Sequence, residues 1–376
     1  MPQIFTKGIR PNLFFKEASY SIDEYFYLYI EKIPSNTNYI LLEPEYSNLD
    51  LSVTYFDPLS FFSNRLLHDL YKGNLKIIFD CSIEGSHIDF PYFERFLASF
   101  NKHGYDFSNF YYLSGDGIEK SLYPSYRNLY HINTLDSFFK DLHTVTSTND
   151  KKYFFSCLNR KPRYWRSKLI YLINTDQILK SNALCSHPKI TSKNQISDHT
   201  GFEVEDSMLD FFLAADEMQV STESPLTDQM PFDQVMSHLP EVYSKVVFDV
   251  CMESYQEGLH VHNTEKLFKP IVNSVPVLVW GTPGVNTWQM TNLGLKTYED
   301  WFDLSFDLEP NTEKRLYLLL GEIKNICAKL SSMTQAELVQ WQNTNPTVIE
   351  HNKHTIINSL PKNISEFNRL FDSLCS

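Results

Sequence analysis

Glycine is scarce in this chain, and the features that would carry it into a membrane, a disulfide scaffold or a nucleic-acid groove are missing. Its 376 residues include only 12 Gly. No G-x-G-x-x-G follows an apolar run, so the dinucleotide fingerprint of an NAD(P)-dependent oxidoreductase is absent. Six cysteines, Cys81, Cys157, Cys185, Cys251, Cys327 and Cys375, are scattered with no C-x-x-C pair; neither a zinc knuckle nor a disulfide framework is indicated. Cys157, Cys185 and Cys251 lie in apolar runs and read as small core residues. No run approaches the roughly 20 apolar residues that span a bilayer, and the first eight residues contain no cleavable apolar segment. The expectation is a cytoplasmic, soluble protein without a membrane span. Formal charge is -13, and the only dense block of Lys and Arg is Arg160 to Lys168. Phosphate-backbone binding needs a spread positive face, so a nucleic-acid partner is disfavoured.

Apolar residues make up 42% of the chain and aromatics 15%, which marks an ordered globular protein. The length suffices for two cores of about 150 to 200 residues. Short apolar runs at 39–42, 76–79, 110–113 and 129–132 alternate with amphipathic stretches at 61–71, 92–102 and 135–142, a strand and helix alternation that implies a mostly parallel sheet. Residues 147–152 are polar and core-free, and place a boundary there. The alternation resumes with strand 153–158, helix 164–174, strand 183–186, strand 245–252, a helix from Thr264 and strand 275–280. Residues 188–234 read as polar and irregular, with one helical patch at 207–215. Helices over 313–330 and 334–343 precede a helical tail. The expected organisation is therefore an α/β protein of two Rossmann-like lobes with a cleft between them. The N-terminal domain spans 1–150, the C-terminal domain 151–335 and the helical tail 336–376, packing back on the first domain.

Two segments carry candidate chemistry. The first is Asn263-Thr264-Glu265-Lys266, ahead of Lys269-Pro270-Ile271 and the run Val275 to Trp280. Asn263 can cap free backbone N–H groups, and Glu265 and Lys266 fall in a helix's first turn, where those donors favour an anion. This points to a nucleotide's ribose and phosphates. The second is Asn159-Arg160-Lys161-Pro162-Arg163, continuing through Arg166 to Lys168, with five basic residues within nine positions. Such a cluster repels itself unless an anion sits among its members, and Arg grips phosphate in a bidentate way. The plain alternative is a solvated basic loop. Glu253, directly after strand 245–252, completes the donor-binding candidates. His260 and His262 form an H-x-H without a convincing third ligand, so no metal is expected. Trp280 and Trp288 could stack on a ligand, but aromatics beside a strand are usually packing.

Asn159-Arg160-Lys161-Pro162-Arg163 before a helix, then Thr264-Glu265-Lys266 with Lys269-Pro270-Ile271 before Val275 to Leu278 and Gly281, resembles the donor half of the alpha-1,3-fucosyltransferase-like group of GT-B glycosyltransferases. Leu293 to Trp301 resembles a segment in uncharacterised viral and bacterial proteins of that broader group. The resemblance covers about residues 153–307; the first 150 match no family. It implies a GT-B enzyme that moves a sugar from a UDP- or GDP-sugar, with GDP-fucose favoured, to a glycan or other hydroxyl acceptor. Glu265 would accept from the donor ribose, while Lys266 with Arg166 or Arg163 would neutralise the diphosphate as leaving group. With no acidic pair of metal-site spacing after a strand, metal independence is expected, and no cofactor beyond the donor. The base that takes the acceptor proton would come from the first lobe. Asp80 or Glu84 in the loop after strand 76–79 is the first choice and Asp116 the second, although such carboxylates are more often caps or turn formers. Glu257 and Glu265, with seven residues between them, also fit a retaining GT-B pattern; inversion is favoured. A non-catalytic nucleotide-binding scaffold is the reading from another class. Oligomeric state is not legible.

Overall fold

The computed structural model describes residues 26–32, 38–44, 59, 64–81, 92–114, 125–127, 129–131, 150–159, 162–196, 203–215, 240–253, 256, 265–290 and 293–358. The chain divides into two compact units. One is Met1–Lys140 with Leu259–His262 and Ser359–Ser376; the other is Asp141–Gly258 with Asn263–Asn358. Both are mixed α/β structures built on sheets with parallel strands. Among the described residues no helix is long and apolar enough to cross a membrane.

In the first unit, β1 (Phe26–Lys32), β2 (Asn38–Pro44), α1 (Asn64–Tyr71), β3 (Leu75–Cys81), α2 (Tyr92–His103), β4 (Phe110–Ser114) and β5 (Leu129–His131) follow in sequence. The five strands lie in the order β1-β2-β3-β4-β5. β1 pairs antiparallel with β2, and the remaining pairs are parallel. The sequence missed β1, whose Phe26-Tyr27-Leu28-Tyr29-Ile30 is apolar or aromatic at every position and shows no clean period of two. The expected helix at 135–142 lies outside the described residues. α2 turns Phe96, Ser99 and Phe100 inward at the i, i+3, i+4 spacing of a core-facing stripe. The Phe96 ring stacks on Phe110 of β4 at 4.5 Å. Beyond the helix, Gly104 takes a φ of 70°, the left-handed turn that ends a helix without a Cβ clash.

The second unit contains β6 (Tyr153–Leu158), α3 (Tyr164–Thr175), α4 (Gln177–Asn182), β7 (Ala183–Ser186), α5 (Asp206–Ala214), α6 (Pro240–Ser244), β8 (Val246–Met252), α7 (Glu265–Val272), β9 (Val277–Trp280), α8 (Thr312–Leu330) and α9 (Gln335–Gln342). A further helix, α10, covers 346–358. The sheet is wholly parallel, in the order β7-β6-β8-β9. β8 is buried along its whole length, as expected of an interior parallel strand covered on both faces. α4 is a helix the sequence did not signal. It starts at Asp176, whose side chain accepts from the backbone of Ile178 and Leu179, and that cap lets six residues fold where apolar periodicity is too short to read.

Of the C-terminal helices, α9 packs on this sheet. Trp341 meets Phe248 of β8 with ring centroids 6.1 Å apart, and Gln342 donates to the carbonyls of Val246 and Val247 at 3.3 and 3.0 Å. Asn352 of α10 pairs with the backbone of Lys296, accepting at 2.7 Å and donating at 2.9 Å. Leu295, Tyr298 and Trp301, in the segment whose sequence resembles viral and bacterial proteins, are buried. Trp301 donates from its indole to the carbonyls of Trp341 and Gln342 at 3.0 and 3.2 Å. That segment serves as the seat of the tail helices.

Candidate functional site at the carboxyl edge of the second sheet

All four strands of the second sheet run one way, so their carboxyl ends share one edge. From β6 the chain moves to β7 on one side, then returns to place β8 on the other. β6 and β8 are thus neighbours whose onward connections diverge, the topological switch point where open α/β sheets receive ligands. Asn159 follows β6 and Glu253 follows β8; both are buried, at 1% and 2% exposure. Asn159 is fixed by its backbone N–H, which donates to Ser186 Oγ at 3.0 Å and to the Ser186 carbonyl at 3.2 Å. Its amide nitrogen approaches Met252 Sδ at 3.8 Å and Cys157 Sγ at 3.6 Å. Its Oδ1 is buried with no hydrogen-bond partner in the described structure. A buried carbonyl oxygen left unmet costs roughly 1–3 kcal/mol, so this acceptor is set up for a donor from outside the fold.

The basic cluster divides. Arg163 is the half-buried N-cap of α3 and supplies no side-chain cap bond. Arg166, one turn on, is buried. Lys168 finds its anions within the protein, as the plain reading of the cluster requires: it bonds Glu205 closely and Glu313 at 3.3 Å. Burial alone pulls the Lys168 ammonium down, but the Glu205 carboxylate outweighs it and holds the group above its ordinary value. Three residues of this segment therefore have different environments, and Lys168 is committed to the carboxylates of Glu205 and Glu313. Arg160 and Lys161 lie outside the described residues.

α7 begins at Glu265, beyond β8, and carries Lys266 and Lys269, both half-buried. Asn263, Thr264, Glu257, His260 and His262 lie outside the described residues, as does the Glu265 side chain. Of the base candidates, Asp80 sits near the carboxyl end of β3, in register with Leu113 of β4. Its side chain, Glu84, Asp116 and His87 are likewise outside the described part. Trp280 is fully buried, and its ring meets Trp165 of α3 edge-on at 6.0 Å, so it is a packing residue that seats the start of α3 over the end of β9.

Two features at this edge had no signal in the sequence, which does show a tight loop at Gly281 to Gly284 but not what locks it. After β9, Gly281-Thr282-Pro283-Gly284 turns with Gly284 at a φ of 83°, and the turn is locked by Asn286 and Asp307. Asn286 accepts from the backbone N–H of Val279 at 2.9 Å and donates back to its carbonyl at 2.7 Å, pairing with the edge of β9 as a strand would. Asp307 accepts from Asn286 and Thr287, and its carbonyl accepts from the Gly284 N–H at 2.8 Å. The other is Arg315, in the first turn of α8. Its guanidinium donates to the carbonyls of Gln256, Gly281 and Glu309. An arginine among helical residues reads as a solvated face, and only the fold shows it is 1% exposed.

His187, which follows β7, is also buried, as a structural group. Its Nε2 lies 2.9 Å from Ser167 Oγ, its Nδ1 donates to the Pro188 carbonyl at 2.8 Å, and its ring stacks on Phe212 at 4.2 Å. Burial pulls its pKa down to about 4, against a smaller upward pull from the Pro188 bond. The neutral ring thus accepts from the serine.

No protein-family model matches the chain, and no curated protein matches it. Among solved structures it is similar to a chain of the GtfA/B complex, at a TM-score of 0.34 and 8% identity, over 79% of this chain and 55% of that one. The present chain thus spans little more than half of that neighbour's length. It is also similar to an alpha1,3-fucosyltransferase, at a TM-score of 0.30 and 11% identity, over 75% of this chain and 74% of the other. No site residue of this chain follows from likeness of that size.

Proposed function

We propose that the chain is a metal-independent, inverting glycosyltransferase that takes a sugar from a nucleotide-sugar donor and passes it to a hydroxyl acceptor. The observation that carries the reading is the switch point itself: Asn159 and Glu253 follow the adjacent strands β6 and β8, the helix after β6 opens on Arg163 and Arg166, and the helix beyond β8 opens with Lys266. In the reaction the acceptor oxygen bonds to C1 of the sugar, the bond from C1 to the donor phosphate breaks, and the nucleoside diphosphate leaves with the electron pair. Negative charge grows on that phosphate, where the two arginines, Lys266 and the N–H groups of the helix starts stabilise it. Asn159 Oδ1 accepts from a donor hydroxyl or amine, and Glu265 from the ribose. The acceptor proton passes to a carboxylate of the first unit, with Asp80, Glu84 and Asp116 as candidates. The donor is a UDP- or GDP-sugar and the acceptor a glycan or other hydroxyl compound, within a GT-B arrangement acting in the cytoplasm.

The test is titration of the protein with UDP-, GDP- and CMP-sugars, scored for both binding and transfer. Glu265→Ala and Lys266→Ala each lower kcat/KM by about 10²-fold or more while the far-ultraviolet circular dichroism stays unchanged. Full activity in both variants ends the assignment. Tight binding with neither transfer nor hydrolysis turns it into a nucleotide-binding scaffold.

A further inference from the structure

Arg315 is placed against its own helix. It lies four residues beyond the Asn311 cap of α8, at the positive end of the helix dipole, where a cation is unfavourable, and it is 1% exposed. Arginine cannot shed its proton in a protein, so a full charge is held inside the fold. Its bonds show what the position achieves. One guanidinium nitrogen donates to the carbonyl of Gln256, beyond β8, and to that of Gly281, directly after β9, at 3.1 Å for the latter; the other donates to Glu309. Thr312 adds a bond from its hydroxyl to the same Gln256 carbonyl at 3.4 Å. Gln256 in turn donates from its amide to the carbonyl of Glu253, the residue that follows β8 at the switch point. A rigid planar fork thus joins the turns that leave two adjacent strands, and through Gln256 it reaches the candidate site itself. The fork ties down the Gln256 and Gly281 carbonyls together, a constraint that no single apolar contact could impose.

We infer that Arg315 is a positioning residue, which holds Gln256, beyond β8, and Gly281, after β9, where the donor's phosphates are received. Its inference about ligand rests on the glycosyltransferase reading; its inference about the turns does not. The fork is what matters, so Arg315→Lys, which keeps the charge and loses the planar pair of donors, fails to restore the wild-type geometry. Arg315→Met keeps the stem's packing and removes every donor.

Hydrogen exchange and nucleotide titration on the full chain separate the possibilities. In both variants the amides around Gln256 and Gly281 exchange at least about tenfold faster than in wild type, while those of β6 and β8 keep their rates. The Kd for UDP and GDP and the KM for the donor rise together, by about 10²-fold at a site displaced by an ångström, and the KM for the acceptor is unmoved. Unchanged exchange at both turns, or faster exchange with wild-type nucleotide affinity, overturns the inference. A wild-type protein that binds no nucleotide overturns the donor reading and the ligand half of this inference with it, and the exchange result then decides the turn-holding half alone. Equal loss of protection throughout the second unit makes Arg315 a stability residue only, and also overturns it.

Discussion

Asp249 is the buried group whose removal has the most calculable consequence. It lies in the middle of β8, opposite Ser156 of β6 and Val277 of β9, at 4% exposure, and Ser156 Oγ donates to its carboxylate. Burial pushes its pKa from the ordinary 3.8 up to about 7, and the Ser156 bond offsets only part of that rise. In the unfolded chain the group is ionised from about pH 4 upward; in the sheet it stays protonated to about pH 7. Stability from this group is therefore present in full below pH 4, lost as pH rises, and gone above pH 7. The total displacement corresponds to roughly 4 kcal/mol, more than half of which falls between pH 5 and 8. Asp249→Asn keeps an acceptor for Ser156 and never ionises. Its stability relative to wild type should thus climb by about 2 to 3 kcal/mol from pH 5 to pH 8. The assay is urea unfolding followed by tryptophan fluorescence, which isolates the relevant unit because all five tryptophans, Trp165, Trp280, Trp288, Trp301 and Trp341, belong to it. A stability difference that stays constant across that range would refute the burial of an uncompensated carboxyl.

His187 should act with the opposite sign. Its folded pKa is depressed from 6.5 to about 4, so its contribution is present above pH 6.5 and lost as pH falls towards 4, by roughly 3 kcal/mol in all. His187→Gln should flatten the acid limb of the second unit's unfolding profile, and an unaltered limb would disprove this. Asp307→Ala removes the acceptor from two backbone N–H groups and the side chains of Asn286 and Thr287. It should cost about 3 kcal/mol or more in the same urea assay; a loss below about 1 kcal/mol would show that the turn after β9 holds itself together.

Most of the periodic elements were readable because each is determined by a local repeat. The alternation of apolar runs and amphipathic stretches located β2 to β9 closely, and the stop before Tyr153 matches the start of β6. β1 escaped because Phe26 to Ile30 is apolar or aromatic at every position and so shows no period of two, and α4 because a six-residue helix depends on one cap rather than on periodicity. The cluster from Asn159 to Lys168 was visible as charge, yet its division was not. Glu205 and Glu313, which take up Lys168, stand 37 and 145 residues away, and no local pattern encodes a partner at that distance.

By itself the sequence determined the α/β class, because hydrophobic period and turn chemistry are properties of neighbouring residues. It also singled out the segment from Asn159 to Lys168 as a candidate, since five cations in nine positions need a counter-charge wherever they fold. Only the tertiary structure decided that β6 and β8 lie side by side, that Trp280 is packing rather than a ligand wall, and that Arg315 is interior. Strand order and burial depend on contacts between residues far apart in the chain, where an arginine facing water and one forked across three carbonyls have the same one-dimensional appearance.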